Sequence, residues 1–143
     1  MIKRIISCIL IFILIGSTTY ASSAKYRIEV NTSKCRVIVY QQTNIGWMKL
    51  GQQKCCLGAK GKTPKGLFTI YKKKNYFVHN DARYDYVSYF DNNKAFHSTP
   101  YINGKYDNSS LGHHRSGGCI RLKPSAAKWI YKYCKTGTEV LIK

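Results

Sequence analysis

Between residues 26 and 102 no stretch of the chain sustains a helical period; short β-branched or aromatic runs alternate with Gly, Asn and Pro turns. A chain so punctuated closes its backbone hydrogen bonds as sheets. Residues 26–30 alternate in character, Asn31-Thr32-Ser33-Lys34 reads as a turn, and residues 35–40 return as a second strand. Residues 47–50, 54–57, 67–71, 76–78, 86–90 and 95–96 continue the strand pattern, with a basic Gly-rich loop at 58–66. Only after residue 123 does a helical spacing emerge. Pro124 suits a first turn, Ala127, Ile130 and Cys134 recur at intervals of three and four, and Gly137 is placed to end the helix before a last strand at 138–142. The expectation is a predominantly β domain with one packed C-terminal helix.

Residues 1–24 read as an address. Lys3 and Arg4 precede an apolar stretch from Ile5 to Ile15, and Ala21 and Ala24 offer small-residue cleavage points, the pattern of a secretory signal peptide. That stretch is well short of the ~20 residues a membrane-spanning helix needs, so any membrane attachment would come only through an uncleaved signal. Residues 25–143 then form one domain, too short for two cores and without a linker or repeat. Lys and Arg number 24 against 6 Asp and Glu, for a net charge of +18. An exported surface of that sign points to anionic wall polymers or carboxylates, although clusters such as Lys72, Lys73 and Lys74 also suit plainly solvated loops. Neither a basic period nor an RNA-binding aromatic signature supports nucleic acid.

Five of the six cysteines, Cys35, Cys55, Cys56, Cys119 and Cys134, follow the leader. An odd number leaves at least one free thiol in an exported chain. Cys55 and Cys56 would face opposite sides of a strand, so at most one can meet Cys35 or Cys134. Buried unpaired thiols fit equally well. No zinc-ligand spacing exists, the loop at 58–66 lacks the P-loop pattern, and neither a metal nor a cofactor is implied.

The chemistry concentrates in two runs, Phe96-His97-Ser98-Thr99-Pro100-Tyr101 and Ser116-Gly117-Gly118-Cys119-Ile120-Arg121. A thiol becomes nucleophilic as a thiolate, a nearby imidazole can take its proton, and a Gly-Gly turn leaves it open while offering backbone N–H groups to an oxyanion. Cys119 and His97 are thus candidate nucleophile and base. Taken alone, a cysteine is more often a buried thiol and a histidine a satisfied strand residue.

With these runs and Lys62-Thr63-Pro64-Lys65-Gly66-Leu67-Phe68-Thr69-Ile70, the chain resembles the YkuD-type L,D-transpeptidases of bacterial cell walls over nearly all of residues 25–143. The resemblance implies a single compact β-sandwich of mixed sheets with one C-terminal α-helix. It implies attack by Cys119 on the third, L-configured residue of a peptidoglycan tetrapeptide stem, with His97 as base and release of the terminal D-alanine. The Ser98 carbonyl would hold the imidazole in its tautomer without its hydroxyl, so that Ser98→Ala should be mild. Gly117, Gly118 and Cys119 would supply the oxyanion N–H groups, and Arg121, Ser116 and Tyr101 would contact substrate. An amine acceptor gives a 3-3 crosslink; water gives an L,D-carboxypeptidase or wall hydrolase.

One position departs from the family: Gly117 stands where it usually has His. A backbone role is preserved by Gly, whereas loss of activity would leave a cationic wall-binding protein. His79 reads as structural or surface, and His113 and His114 as exposed loop. Tyr84, Tyr86, Tyr89 and Tyr101 are either groove walls or ordinary strand residues.

Overall fold

A computed structural model describes residues 25–143; the expected signal peptide, 1–24, lies outside the described residues. Alternation produces the first ladder. In β1 (Tyr26–Asn31), Tyr26, Ile28 and Val30 are buried, and β2 (Arg36–Thr43) pairs with it antiparallel, Val30 opposite Val37. β3 (Gly46–Gly58) is one strand where two were expected, and it joins the two sheets. Residues 46–54 pair with β2, whereas Cys55 and Cys56 pair with β11 (Ile120–Leu122). The apolar run at 55–57 explains the change, because a solvated hairpin arm becomes a fully buried strand there.

β4 (Gly66–Thr69) pairs with β12 (Glu139–Ile142), which lies parallel to β1 and completes the first sheet. The second sheet joins β5 (Lys72–His79), β6 (Ala82–Asp91), β7 (Lys94–Ser98) and β11, the last two parallel. β8 (Tyr101–Ile102) and β9 (Lys105–Tyr106) form a small hairpin at its edge, and β10 (His114–Ser116) lies beside the end of β3. The protein is mainly β, with mixed sheets.

Ile28, Val30, Leu57, Ile70, Phe96, Ile120, Leu122, Val140 and Ile142 fill the shared core. The helix α1 (Pro124–Tyr133) covers it with Ala127 and Ile130. The helix stops at Cys134, whose backbone is extended; Gly137, expected to end it, instead takes φ +92° in the next turn, where its N–H donates to the Ile70 carbonyl. All five described cysteines are free thiols. No described helix is long and apolar enough to cross a membrane.

Candidate active site

Parallel pairing of β7 with β11 sets His97 opposite Arg121, with Phe96 opposite Ile120 in the core. Since strand side chains alternate, His97 and Arg121 share the face opposite to that core. Cys119 lies in the loop just before β11, and both it and His97 feel the Arg121 charge. The Cys119 thiol faces the Asn93 carbonyl at 3.7 Å, and no described hydrogen bond links it to His97. Sites of this kind commonly tighten only when substrate arrives.

His97 is held closely. It is buried, its ring meets Phe77 and Tyr84 edge-on at centroid distances of 5.1 and 5.0 Å, and its Nδ1 lies 2.7 Å from the Ser98 carbonyl. A carbonyl only accepts, so Nδ1 carries the proton and Nε2 keeps its lone pair. Burial drives the His97 pKa down to about 4, against the pull of the Ser98 hydrogen bond and with help from the Arg121 charge. Burial also raises the Cys119 thiol, opposed by the Ala95 N–H and by the charges of Lys94 and Arg121. The free protein therefore rests as neutral imidazole and thiol rather than as an ion pair. Any attack by this sulfur would require proton transfer as it reacts.

The Ser98 hydroxyl accepts from the Asp85 N–H at 2.8 Å and donates to the Thr99 carbonyl at 2.8 Å. This tie corrects the expectation that Ser98→Ala is mild. The variant leaves the buried Asp85 N–H without an acceptor, and a loss of ~1–3 kcal/mol in unfolding free energy is expected in a urea titration. An unchanged midpoint would rule the tie out as a stabilising feature.

The cysteine loop is pinned from within and from outside. Ser116 is buried, its hydroxyl donating to the Cys119 carbonyl at 2.6 Å and accepting from the Gly118 N–H at 3.1 Å. The Ser116 hydroxyl is therefore used within the loop, and Gly118 has given its N–H to it. The N–H groups of Gly117 and Cys119 have no acceptor among the described residues. Gly118 is still required, since its φ is +124° and a side chain would strike the Lys62 carbonyl at 2.8 Å.

Thr63 is the part the motifs did not explain. Its hydroxyl accepts from the Gly58 N–H at 2.7 Å and donates to the Gly118 carbonyl at 3.0 Å, tying the cysteine loop to the end of β3. A Thr-Pro pair beside a Gly-rich loop was the only sequence signal for this clamp.

Tyr84 and Tyr89 both belong to the face of the site, five residues apart on β6. That spacing breaks strand parity, and the break falls at Tyr86, whose φ is +60°. Tyr86 packs on Tyr131 of α1 at 6.1 Å, away from the cysteine. Tyr101 lies against Tyr106 and beneath Arg83 at the sheet edge. The Arg121 guanidinium covers the Tyr84 ring at 5.4 Å, and its buried Nε has no partner in the structure. His79, His113 and His114 are exposed, with His114 Nε2 3.3 Å from the Cys35 sulfur. Among the described residues no group of three or more His, Cys, Asp or Glu is placed to hold a metal ion.

The model of the L,D-transpeptidase catalytic domain matches residues 25–142. No curated protein matches the chain. Among solved structures, the chain is similar to a Clostridium acetobutylicum ATCC 824 protein described as a fused Zn-dependent amidase/peptidase/peptidoglycan-binding domain-containing protein: 29% identity, TM-score 0.70, covering 83% of this chain and 52% of that one. It is also similar to an L,D-transpeptidase from Mycobacterium smegmatis (20%, TM-score 0.69, 84% and 59% covered). A third is an L,D-transpeptidase from Mycobacterium tuberculosis H37Rv (20%, TM-score 0.66, 83% and 57%). The chain spans less than two thirds of the length of each of these three, and at 20% identity the mycobacterial likenesses speak for the fold.

Proposed function

The chain belongs to the L,D-transpeptidase catalytic domain family, and from that premise we propose that it is an exported acyltransferase that crosslinks peptidoglycan stems through a thioester on Cys119. The observation that supports this reading is the His97 imidazole, neutral, protonated at Nδ1 by its bond to the Ser98 carbonyl and, like Cys119, beside the Arg121 charge. As the Cys119 sulfur attacks the carbonyl of the third stem residue, its proton passes to His97 Nε2. The N–H groups of Gly117 and Cys119 receive the oxyanion, a contribution of ~2.7–4 kcal/mol per donor in studied hydrolases. The C–N bond to the terminal D-alanine then breaks, and the imidazolium returns its proton to the leaving amine. An amine of a second stem attacks the thioester and frees the thiol.

Gly117 is compatible with this scheme because only its N–H is used. In this reading residues 1–24 export the domain formed by residues 25–143. With Lys3 and Arg4 of the 24 Lys and Arg left in residues 1–24, the surplus of 22 over 6 Asp and Glu keeps the domain on an anionic wall. Incubation with defined tetrapeptide muropeptides tests it by mass spectrometry. The expected result is a tripeptide adduct on the Cys119-containing peptide together with crosslinked dimers. Adduct with free tripeptide alone would make the protein a carboxypeptidase, and an unmodified mass after prolonged incubation would exclude both.

A further inference from the structure

Lys94 opens β7 and belongs to none of the sequence motifs. Its stem crosses the cysteine loop: a Cβ built on Gly118 would meet Lys94 Cε at 2.5 Å and Cδ at 2.6 Å. The described ion pairs are Arg83 with Asp85 and Lys143 with Glu29, so the Lys94 ammonium has no carboxylate of its own among the described residues. Asp91 is its backbone partner across the β6–β7 turn, without an ion pair between them.

The charges felt by Cys119 are two cations, Lys94 and Arg121, and no carboxylate. Arg121 is spread over the Tyr84 ring, whereas Lys94 has neither a ring nor a carboxylate beside it among the described residues. It does not make a resting thiolate either, because the thiol stays raised despite it. An unpaired ammonium, half-buried and braced on the backbone beside a nucleophile, fits an anionic group of the incoming substrate.

Resting on the transpeptidase reading above, the geometry points to Lys94 as the residue that binds the terminal carboxylate of the departing D-residue of the donor stem. That carboxylate lies within one residue, ~3.3–3.6 Å of extended chain, of the attacked carbonyl. A cation held over Gly118, next to the cysteine, matches that spacing. The site would thereby select stems that end one residue past the scissile bond.

Binding separates this from the chemistry. The full chain carrying Cys119→Ala is titrated calorimetrically with a tetrapeptide stem as free acid, as its C-terminal amide, and as a stem amidated only at its other carboxylates. The free acid is expected to bind about tenfold more tightly than the C-terminal amide, with the advantage shrinking in high salt. Lys94→Met, which keeps the packing over Gly118, should bind acid and amide alike, and Lys94→Arg should restore most of the preference. Equal binding of acid and amide by the parent, or a preference that survives Lys94→Met, would overturn the assignment. So would a preference that disappears only on amidating the other carboxylates. A chain that binds with this selectivity but forms no acyl-enzyme would sink the proposed function and leave Lys94 standing; turnover without selectivity would do the reverse.

Discussion

Replacing His97 with Gln is expected to slow acyl-enzyme formation by ~10²–10⁴-fold, the usual contribution of a positioned general base. The effect should be this large because Cys119 does not ionise on its own: burial holds its thiol above the ordinary value. Single-turnover mass spectrometry of the thioester measures it, and a rate within threefold of the parent would remove His97 from the mechanism. The same residue sets two pH dependences. Its pKa is 6.5 when unfolded and about 4 when folded, so between these values the unfolded chain binds the additional proton. Stability is therefore complete above about pH 6.5 and is lost as the pH falls toward 4, by an amount on the order of 3 kcal/mol. His97→Gln should flatten that part of the urea-midpoint profile. The acid limb of kcat/KM should lie near pH 4 in the parent, and a limb near 6.5 would mean that a solvated imidazole does the work.

Gly58→Ala should be the most damaging added methyl group around the loop. Its Cβ would sit 2.6 Å from the Thr63 nitrogen, 2.8 Å from the Gly118 Cα and 2.9 Å from the Lys62 carbonyl carbon, all of them backbone atoms that cannot swing aside. Relief requires β3 and the cysteine loop to separate, which breaks the Thr63 bridge to Gly118. A loss of about 3 kcal/mol or more is expected, a fall in Tm on the order of 10 °C, with activity lost in the folded fraction. Gly117→Ala is the matched comparison. No atom lies within 4 Å of a Cβ there and the backbone is not left-handed, so Tm should barely move. Equal melting of the two variants would refute the clamp.

Local order was written plainly in the chain. The turn at residues 31–34, the alternation of Ile28 and Val30, and the spacing of Ala127 and Ile130 each depend on neighbours within a few residues, and each emerged where expected. The small hairpin of β8 and β9 leaves no signal in the sequence, since strands of two residues carry no period. From sequence the long β3 reads as two strands because the polar segment at residues 51–53, solvated on the first sheet, resembles a turn when the pairing is unknown.

The motifs placed Cys119 and His97 in one site but could not assign every group around them. Ser116 appeared free to meet substrate, and only the folded loop turned its hydroxyl inward to Gly118 and Cys119. Thr63 and Gly118 are 55 residues apart, and Lys94 reaches Gly118 across a strand boundary. The sequence by itself determined the strand and turn punctuation and the charge, and singled out Cys119 and His97 as the candidate thiol and imidazole, because these rest on residue type and short-range spacing. The tertiary structure decided which N–H groups stay free, which hydroxyls are occupied and which cation is unpaired. Those are properties of closure, since a hydrogen bond is consumed only when β3 turns from one sheet into the other and brings distant backbone within 3 Å.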